Sequence, residues 1–380
     1  MQRWLFFDLF LLPFSLMVWF MAGVAALAAH VSPVNGWWIA LSAPFFPFLF
    51  MLNLVFTGYW IYRKKWLFVI MHGLVLVPGL KTFGAQWAGR CSAGMEQDQA
   101  QFSVLSFNVR NFDFYNWKGN YLGTSTIRQD ILNLIAEVKP DILCFQEFFH
   151  SDTGKYRIMH YLSDTLGYTE HFTVLPIRLY ECFNFGMAIY SRYPIINSRQ
   201  LPMPQSAGRR RTRHLNLCLY ADIRVGDDTV RVYNIHFQSY RFGRQEYELV
   251  TEGLQVNREK NSKAISSLMR KMKQAQGLRA LQVERVREHM EKSPYPIILC
   301  TDLNDTPSSW SYWHLRKNLK DAFLEKGCGL GITYAGPFPA LRIDYILHSH
   351  SLTSSHFQII RRPLSDHYPL YVRFNLPVNR

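Results

Sequence analysis

The sequence predicts an α/β domain carried behind a membrane anchor, and three observations predict it. Nearly all the long apolar runs of the 380 residues fall within residues 1–83. Beyond them, short apolar runs of strand length recur, and each closes on an amide, a carboxylate or an imidazole. Stretches with helical spacing lie between those runs.

Residues 1–83 read as the anchor, 84–100 as a polar linker and 101–380 as the soluble domain. Trp4 to Ala29 and Trp37 to Tyr62 exceed the roughly 20 residues that cross a bilayer. Trp66 to Leu80 is a third, shorter run, long enough only when extended to Trp87. A cleaved signal peptide fits poorly, because further apolar spans follow the first. Arg63-Lys64-Lys65 marks a cytoplasmic loop between spans two and three. Three spans then give a multi-pass integral membrane protein with its soluble domain on the extracytoplasmic, periplasmic side. A third run that does not cross would leave the domain in the cytoplasm. Asp8 reads as a charge near the end of span one that snorkels to the surface.

The net charge is +14, of which +10 lies beyond residue 83. That balance favours anionic partners: nucleic acid, phosphorylated metabolites or an anionic lipid surface. Six cysteines without CxxC or CxxH spacing argue against a zinc site, and their spacing establishes no disulfide.

Taken in order, Gln101 to Phe107 alternates as a strand does and ends at Asn108. Thr126 to Lys139 has helical spacing and stops before Pro140. Asp141 to Gln146 is a strand closing on Glu147, and Phe185 to Ser191 is a strand followed by a turn. Arg209-Arg210-Arg211 reads as a solvated basic loop or a phosphate-facing rim. Val230 to Ser239 is a strand with His236 near its end. Ser262 to Lys292 is a basic amphipathic helical region, expected to break near Gly277. Its apolar stripe of Leu278, Leu281, Val283, Val286 and Met290 suits packing on a sheet. Arg342 to Leu347 is a strand carrying Asp344, and Asp366-His367 heads a last strand.

The stretch richest in chemistry is Pro296 to Pro307. Ile297 to Cys300 reads as a buried strand, and Thr301 to Pro307 has the composition of a loop. In extended backbone Asp302 and Asn304 leave on the same face; an Asx turn capping the strand is the alternative.

Each of these polar residues, alone, reads as an ordinary strand-end or turn residue. Asn108, Glu147, His236, Asp302, Asn304, Asp344, Asp366 and His367 together form a set of oxygen ligands, amides and imidazoles without a thiolate. Hard oxygen ligands suit Mg²⁺ or Mn²⁺, and histidines beside acids suit proton transfer near neutral pH. In-line attack of water on a phosphodiester needs these parts.

The segments SFNVRNF, DILCFQE, FGMAIYSRYPI, YNIHFQS, CTDLNDTP, RIDYIL and SDHYPLYV follow one another across about residues 102–374. In this order they resemble the endonuclease/exonuclease/phosphatase superfamily of DNase I-like proteins, here as a membrane-anchored bacterial type. The resemblance implies a four-layered α/β sandwich, with two central, mostly antiparallel sheets flanked by helices and the site at their shared edge. It implies Asn108, Glu147 and Asp366 as the metal site, with Glu147 the principal ligand. It implies Asp302 and Asn304 as the pair that orients water and holds a phosphate oxygen. Asp344 would orient His367, the general base or a phosphate contact. His236 would contact the phosphate or assist the leaving group, and Asn184 would help the same site. Thr301 stands where nuclease members carry Gly.

The function implied is divalent-metal-dependent hydrolysis of phosphodiester or phosphomonoester bonds. The substrate would be a phospholipid, another extracytoplasmic phosphodiester or nucleic acid. A DNA or RNA endonuclease or exonuclease is the alternative, and a catalytically inactive membrane-bound binding module is the second. The expected partners are the bilayer, through the N-terminal helices, and the anionic substrate; no obligate protein partner is inferred.

Overall fold

Strands buried on both faces read as near-continuous apolar runs, and in the computed structural model those runs form the middle of a sandwich. The structure describes residues 6–90, 101–115, 125–205, 216–240, 258–336 and 341–376. The expected Arg209-Arg210-Arg211 rim and residues 91–100 of the linker lie outside the described residues.

One six-stranded sheet runs, in spatial order, β10 (Leu319–Asp321), β12 (Asp344–Ser349), β9 (Ile297–Asp302), β8 (Asp228–His236), β7 (Cys218–Val225) and β6 (Ile195–Leu201). The second six-stranded sheet runs β13 (Thr353–Ile359), β14 (Leu370–Asn375), β2 (Phe102–Asn108), β3 (Ile142–Ser151), β5 (Phe183–Ser191) and β4 (Glu170–Leu179). A separate short pair joins β1 (Ala88–Gly89) to β11 (Cys328–Gly329). Each six-stranded sheet is antiparallel except for one central parallel pair, β8 with β9 and β2 with β3.

Alternation along each strand divides the core into layers. Val104 of β2, Ile142 and Cys144 of β3, Val230 and Val232 of β8 and Ile298 and Cys300 of β9 meet between the sheets. Leu105, Phe107, Leu143 and Phe145 face outward and are covered by the helix Ile127–Val138 through Ile131, Leu134 and Ile135. Tyr233, Ile235 and Leu299 face outward from the other sheet. They are covered by the helix Trp310–Arg316 and by a long helix, Arg258–Met290. The result is the expected four layers. The long helix is continuous for 33 residues, so the expected break at Gly277 is absent. Its buried stripe is Ala280, Val283, Val286 and Met290, whereas Leu281 faces out.

The N-terminal region contains α1 (Phe6–Leu27), α2 (Pro33–Ala40), α3 (Phe46–Tyr62) and α4 (Trp66–Gly84). Three segments, Phe6–Leu27, Ala43–Tyr62 and Trp66–Gly84, are long and apolar enough to cross a membrane. The second apolar run is therefore not one span from Trp37. Pro44 and Pro47 lack the N–H that a continuing helix needs, and the chain restarts there as a new helix. Gly79 lets α4 approach Phe46 and Phe50 of α3, where a side chain would crowd both rings.

Asp8 does not snorkel. It is fully buried, and Arg63 donates to it through Nε at 2.9 Å and Nη2 at 2.8 Å while the Tyr59 hydroxyl donates at 2.6 Å. The first turn of α1 thus meets the last turn of the antiparallel α3. Deeper in the bundle, Ser15 Oγ lies 2.8 Å from His72 Nε2 and accepts from Trp60 Nε1 at 2.7 Å. Asn53 Nδ2 donates to the His72 carbonyl at 3.2 Å. Such interhelical bonds satisfy groups that hydrocarbon would leave bare.

The linker begins as part of the domain. Ala85 lies in the core with Leu303 and Trp310, and Gln86 Nε2 donates to Ser308 Oγ at 2.8 Å. Cys328 is disulfide-bonded, whereas Cys144, Cys182, Cys218 and Cys300 are free.

Glu325 holds together the outer end of the first sheet. His348 Nε2 lies 2.9 Å from it, Ser354 Oγ donates at 2.6 Å and Lys320 Nζ pairs at 3.0 Å. Burial opposes ionisation, but these three partners prevail and pull the carboxyl from 4.5 to about 2. A depressed carboxyl stabilises the fold above its unfolded value, and that contribution is lost as the pH falls through the folded one. Glu325→Gln should lower stability at neutral pH by about 1–3 kcal/mol, with the deficit shrinking in acid. Denaturant unfolding of the detergent-solubilised full chain, followed from pH 7 towards pH 2, checks this.

Candidate functional site

The central strands end together. In one sheet His236 is in register with Asp302, and Asp302 with Asp344. In the other, Asn108 is in register with Gln146, and His367 lies just before β14. Every predicted residue of the set except Asn304 and Asp366 is thereby delivered by a strand or the residues beside it to one edge of the sandwich.

Two bonds cross the seam between the sheets. Asn108 Nδ2 donates to Asp302 Oδ2 at 2.9 Å. His367 Nδ1 lies 3.0 Å from both carboxylate oxygens of Asp344. His367 Nε2 then faces Asp302 Oδ2 at 3.9 Å, and His236 Nε2 lies 3.5 Å from the same oxygen and 3.9 Å from Glu147 Oε1. Asp302, Asp344, His236 and His367 are all buried.

The expected extended geometry from Asp302 to Asn304 does not form. Asn304 has φ of +54°, and its N–H bonds Asp302 Oδ1 at 3.0 Å in an Asx turn. Its Nδ2 donates to the Phe237 carbonyl at 3.2 Å, so Asn304 joins β9 to the end of β8. Nor does β3 close at Glu147. The strand runs on to Ser151, with a bulge between Phe145 and Phe148 in its pairing to β5, and Glu147 sits in that bulge with φ of +50°. A bulge re-aims a side chain, which is how a mid-strand carboxylate reaches the site.

The bulge leaves backbone groups to be satisfied. Asn234 of β8 donates across the sandwich to the carbonyls of Phe145 at 3.0 Å and Ala188 at 2.9 Å, and it accepts from Gln146 Nε2 at 2.7 Å. Gly186 answers the same irregularity, since any side chain there would strike the Val174 carbonyl of β4.

Asp366 approaches from the loop before β14, where Arg110 Nε lies 3.6 Å away. Ser365 Oγ donates to the Asn108 carbonyl at 2.8 Å, and the Tyr334 ring stands edge-on to His367. Asn184 is bonded instead to Asp152 and to the Cys182 carbonyl, each at 3.1 Å. Sequence reasoning missed Arg110, Asn234 and Tyr334. Arg110 stands two residues from Asn108, but no spacing rule points to it. Asn234 lies on the strand of His236 two residues earlier, and its polar side chain in an apolar run was the available signal.

Burial alone would lower the His367 pKa, but the carboxylates of Asp344 and Asp302 raise it well above the ordinary imidazole value. Burial raises the Asp302 carboxyl. Burial also raises that of Glu147, with His236 opposing and Asp366 adding to the rise. Crowded carboxylates that resist ionisation are a donor set suited to a hard divalent cation. Asp302, Asp344 and His367 offer ligand atoms within 4.8 Å of one another, close enough to hold a metal ion. The Asp344 carboxylate already engages His367 Nδ1, so these two are equally arranged as an acid–imidazole pair. Asp302, Glu147, Asn108 and Asp366 are the oxygen donors outside that pair.

The sequence model of the Endonuclease/Exonuclease/phosphatase family matches residues 105–367, and that of a domain of unknown function, DUF8431, matches residues 6–85. Comparison with curated proteins finds no match. Among solved structures, the chain is similar to an endonuclease/exonuclease/phosphatase from Beutenbergia cavernae DSM 12333. The two are 16% identical over 73% of this chain and 72% of that one, with a TM-score of 0.50. An endonuclease/exonuclease/phosphatase family protein from Leptotrichia buccalis C-1013-b is 14% identical over 72% of this chain and 100% of its own, with a TM-score of 0.49. The mannosyl-6-phosphatase Bt3783 of Bacteroides thetaiotaomicron VPI-5482 is 17% identical over 72% of this chain and 100% of its own, with a TM-score of 0.46.

Asn234→Leu should strand two buried carbonyls and one amide beneath the site. The expected cost is about 2–4 kcal/mol in denaturant unfolding, against less than about 1 kcal/mol for Asn133→Ala on the surface of the helix Ile127–Val138.

Proposed function

The chain belongs to the endonuclease/exonuclease/phosphatase family, and from that premise we propose that it is a membrane-anchored, divalent-metal-dependent hydrolase of phosphoric esters. One observation carries the reading. A buried acid–imidazole pair, Asp344 with His367, faces a buried carboxylate, Asp302, at the seam where Glu147, Asn108 and His236 also converge.

In this reading Asn108, Glu147 and Asp366 hold one Mg²⁺, or Mn²⁺, which when bound neutralises charge on the phosphoryl oxygens. Asp302, steadied by the Asn108 amide, orients the attacking water and takes its proton as the new O–P bond forms. Asn304 helps to hold a phosphate oxygen. His367, kept cationic between Asp344 and Asp302, donates to a phosphoryl oxygen as charge develops there. The ester P–O bond breaks in line, and His236 serves the leaving oxygen, supplying the proton that it needs.

The substrate is a phospholipid or another phosphodiester, or a phosphomonoester, outside the cytoplasm. Arg63, Lys64 and Lys65 lie at the end of the bundle remote from the domain, which supports an extracytoplasmic domain by the positive-inside rule. A disulfide-bonded Cys328 supports the same side, because disulfides persist in oxidising compartments. The domains in this reading are the anchor of residues 1–83, a linker of 84–100 and the hydrolase of 101–380. The charge of +14 favours a second reading, a DNA or RNA nuclease, since backbone binding is largely electrostatic.

The full chain in detergent with Mg²⁺ should cleave one member of a panel of plasmid DNA, RNA, phospholipid micelles and a chromogenic phosphodiester. EDTA should abolish turnover. Asp302→Ala and His367→Ala should each lower kcat about 10²–10⁴-fold with the fold intact. Cleavage of DNA alone, falling steeply with salt, would establish the second reading. No cleavage by a folded, metal-loaded protein, with cellular function retained by Glu147→Ala, would point to a binding module.

A further inference from the structure

We infer that the anchor contains a seat for one acyl chain of an anionic membrane phospholipid, and that this seat presents the lipid's headgroup to the site at the sheet seam. The inference rests on the hydrolase reading and names its substrate class.

A cavity of about 280 Å³ opens among α1, α2 and α3, walled by Phe20, Met21, Val24, Trp38, Phe45 and Phe48. Its wall presents no polar surface, and the Ser42 hydroxyl beside it is engaged with the Ile39 carbonyl at 2.6 Å. Two of the helices that form it are long and apolar enough to cross a bilayer. The medium at its mouth is then hydrocarbon, and an acyl chain is the occupant which that medium supplies.

The cavity lies at the domain end of the bundle, between the last two turns of α1 and the start of α3. Trp37, beside Trp38, has Lys273 Nζ of the long helix 5.7 Å from its ring centroid. Arg270 and Lys271 shortly precede Lys273 on that helix. The positive charge at this end of the apolar bundle suits an anionic headgroup. Trp38 and Trp87 are exposed where membrane interfaces favour tryptophan.

The same end of the bundle carries the site. Arg342 Nη2 donates to the Ala85 carbonyl, just past α4, at 2.8 Å, and Arg342 stands two residues, at most about 7 Å of chain, from Asp344. Gln86 bonds Ser308 in the loop that follows Asp302, and Lys81 Nζ lies 5.0 Å from the Trp313 ring centroid. From Lys273 the long helix runs about 9 Å to Arg279. Arg279 is fully buried, pairs with Asp305 at 2.9 Å and donates to the carbonyl of Gln238, two residues past His236, at 2.7 and 2.9 Å. The end of α4 and the two residues after it therefore meet the segments that leave the site strands, and in a bilayer this places the site edge at the headgroup layer.

The test uses the full chain in vesicles of phosphatidylglycerol and phosphatidylethanolamine with Mg²⁺. Val24→Trp fills the cavity, and Leu67→Trp alters an exposed face of α4 as a control. Val24→Trp should slow cleavage of bilayer phosphatidylglycerol by about tenfold to a hundredfold while leaving a water-soluble phosphodiester unaffected; Leu67→Trp should change neither. In an Asp302→Ala background, phosphatidylglycerol with a photoreactive acyl end should label the Phe20–Val24 and Trp38 segments above the Leu67–Ile70 face, and Val24→Trp should remove that excess. Equal labelling of the two faces, or equal slowing of both substrates, overturns the inference. So does wild-type cleavage of the soluble diester or of DNA without any cleavage of bilayer lipid, an outcome that leaves the hydrolase reading standing. No cleavage of any substrate by the wild type overturns both.

Discussion

Two hydrogen bonds across the seam between the sheets, Asn108 to Asp302 and His367 to Asp344, govern the rest of the site. Each joins a residue of one sheet to a carboxylate of the other. Asp302 and Asp344 are buried side by side in register on neighbouring strands, an arrangement that repulsion and lost hydration would oppose. The amide and the imidazole come from the facing sheet and satisfy both. The sheets must therefore pack with their strand ends level, or two buried acids lose their partners.

Level strand ends follow from the topology. Each sheet has a central parallel pair, so two neighbouring strands end on the same side, and an antiparallel neighbour starts there. Asn108, His236 and Asp302 are strand endings; Asp344 begins β12, and His367 lies three residues before β14. Glu147 is the exception and needs a bulge, a positive φ and the cross-sheet bonds of Asn234 to be presented. The polar core beneath the site is thus the cost of aiming one carboxylate from the middle of a strand.

The N-terminal helices share contacts with this edge. Arg342, Ser308 and Asp305 stand close in sequence to Asp344 and Asp302, and each is held by a residue just past α4 or by the long helix that packs on α2. Packing of the N-terminal helices and geometry of the site are therefore mechanically joined.

The apolar runs by themselves determined the three long N-terminal helices, the strands that carry the site and the helix before Pro140, because burial periodicity is local. The strand-end polar residues were legible for the same reason. The edge strands β4, β6, β10 and β13 were not, since edge strands with one solvated face mix polar and apolar residues without a strong period. Only the tertiary structure decided that Glu147 sits in a bulge, that Asn304 closes an Asx turn and that Asp8 is paired with Arg63 rather than exposed. The bulge and the Asp8–Arg63 pair depend on partners far away along the chain, which leave no periodic trace in the sequence around the residue that they fix. The Asx turn is local, but its choice over extended backbone goes with the bond of Asn304 to the distant Phe237 carbonyl.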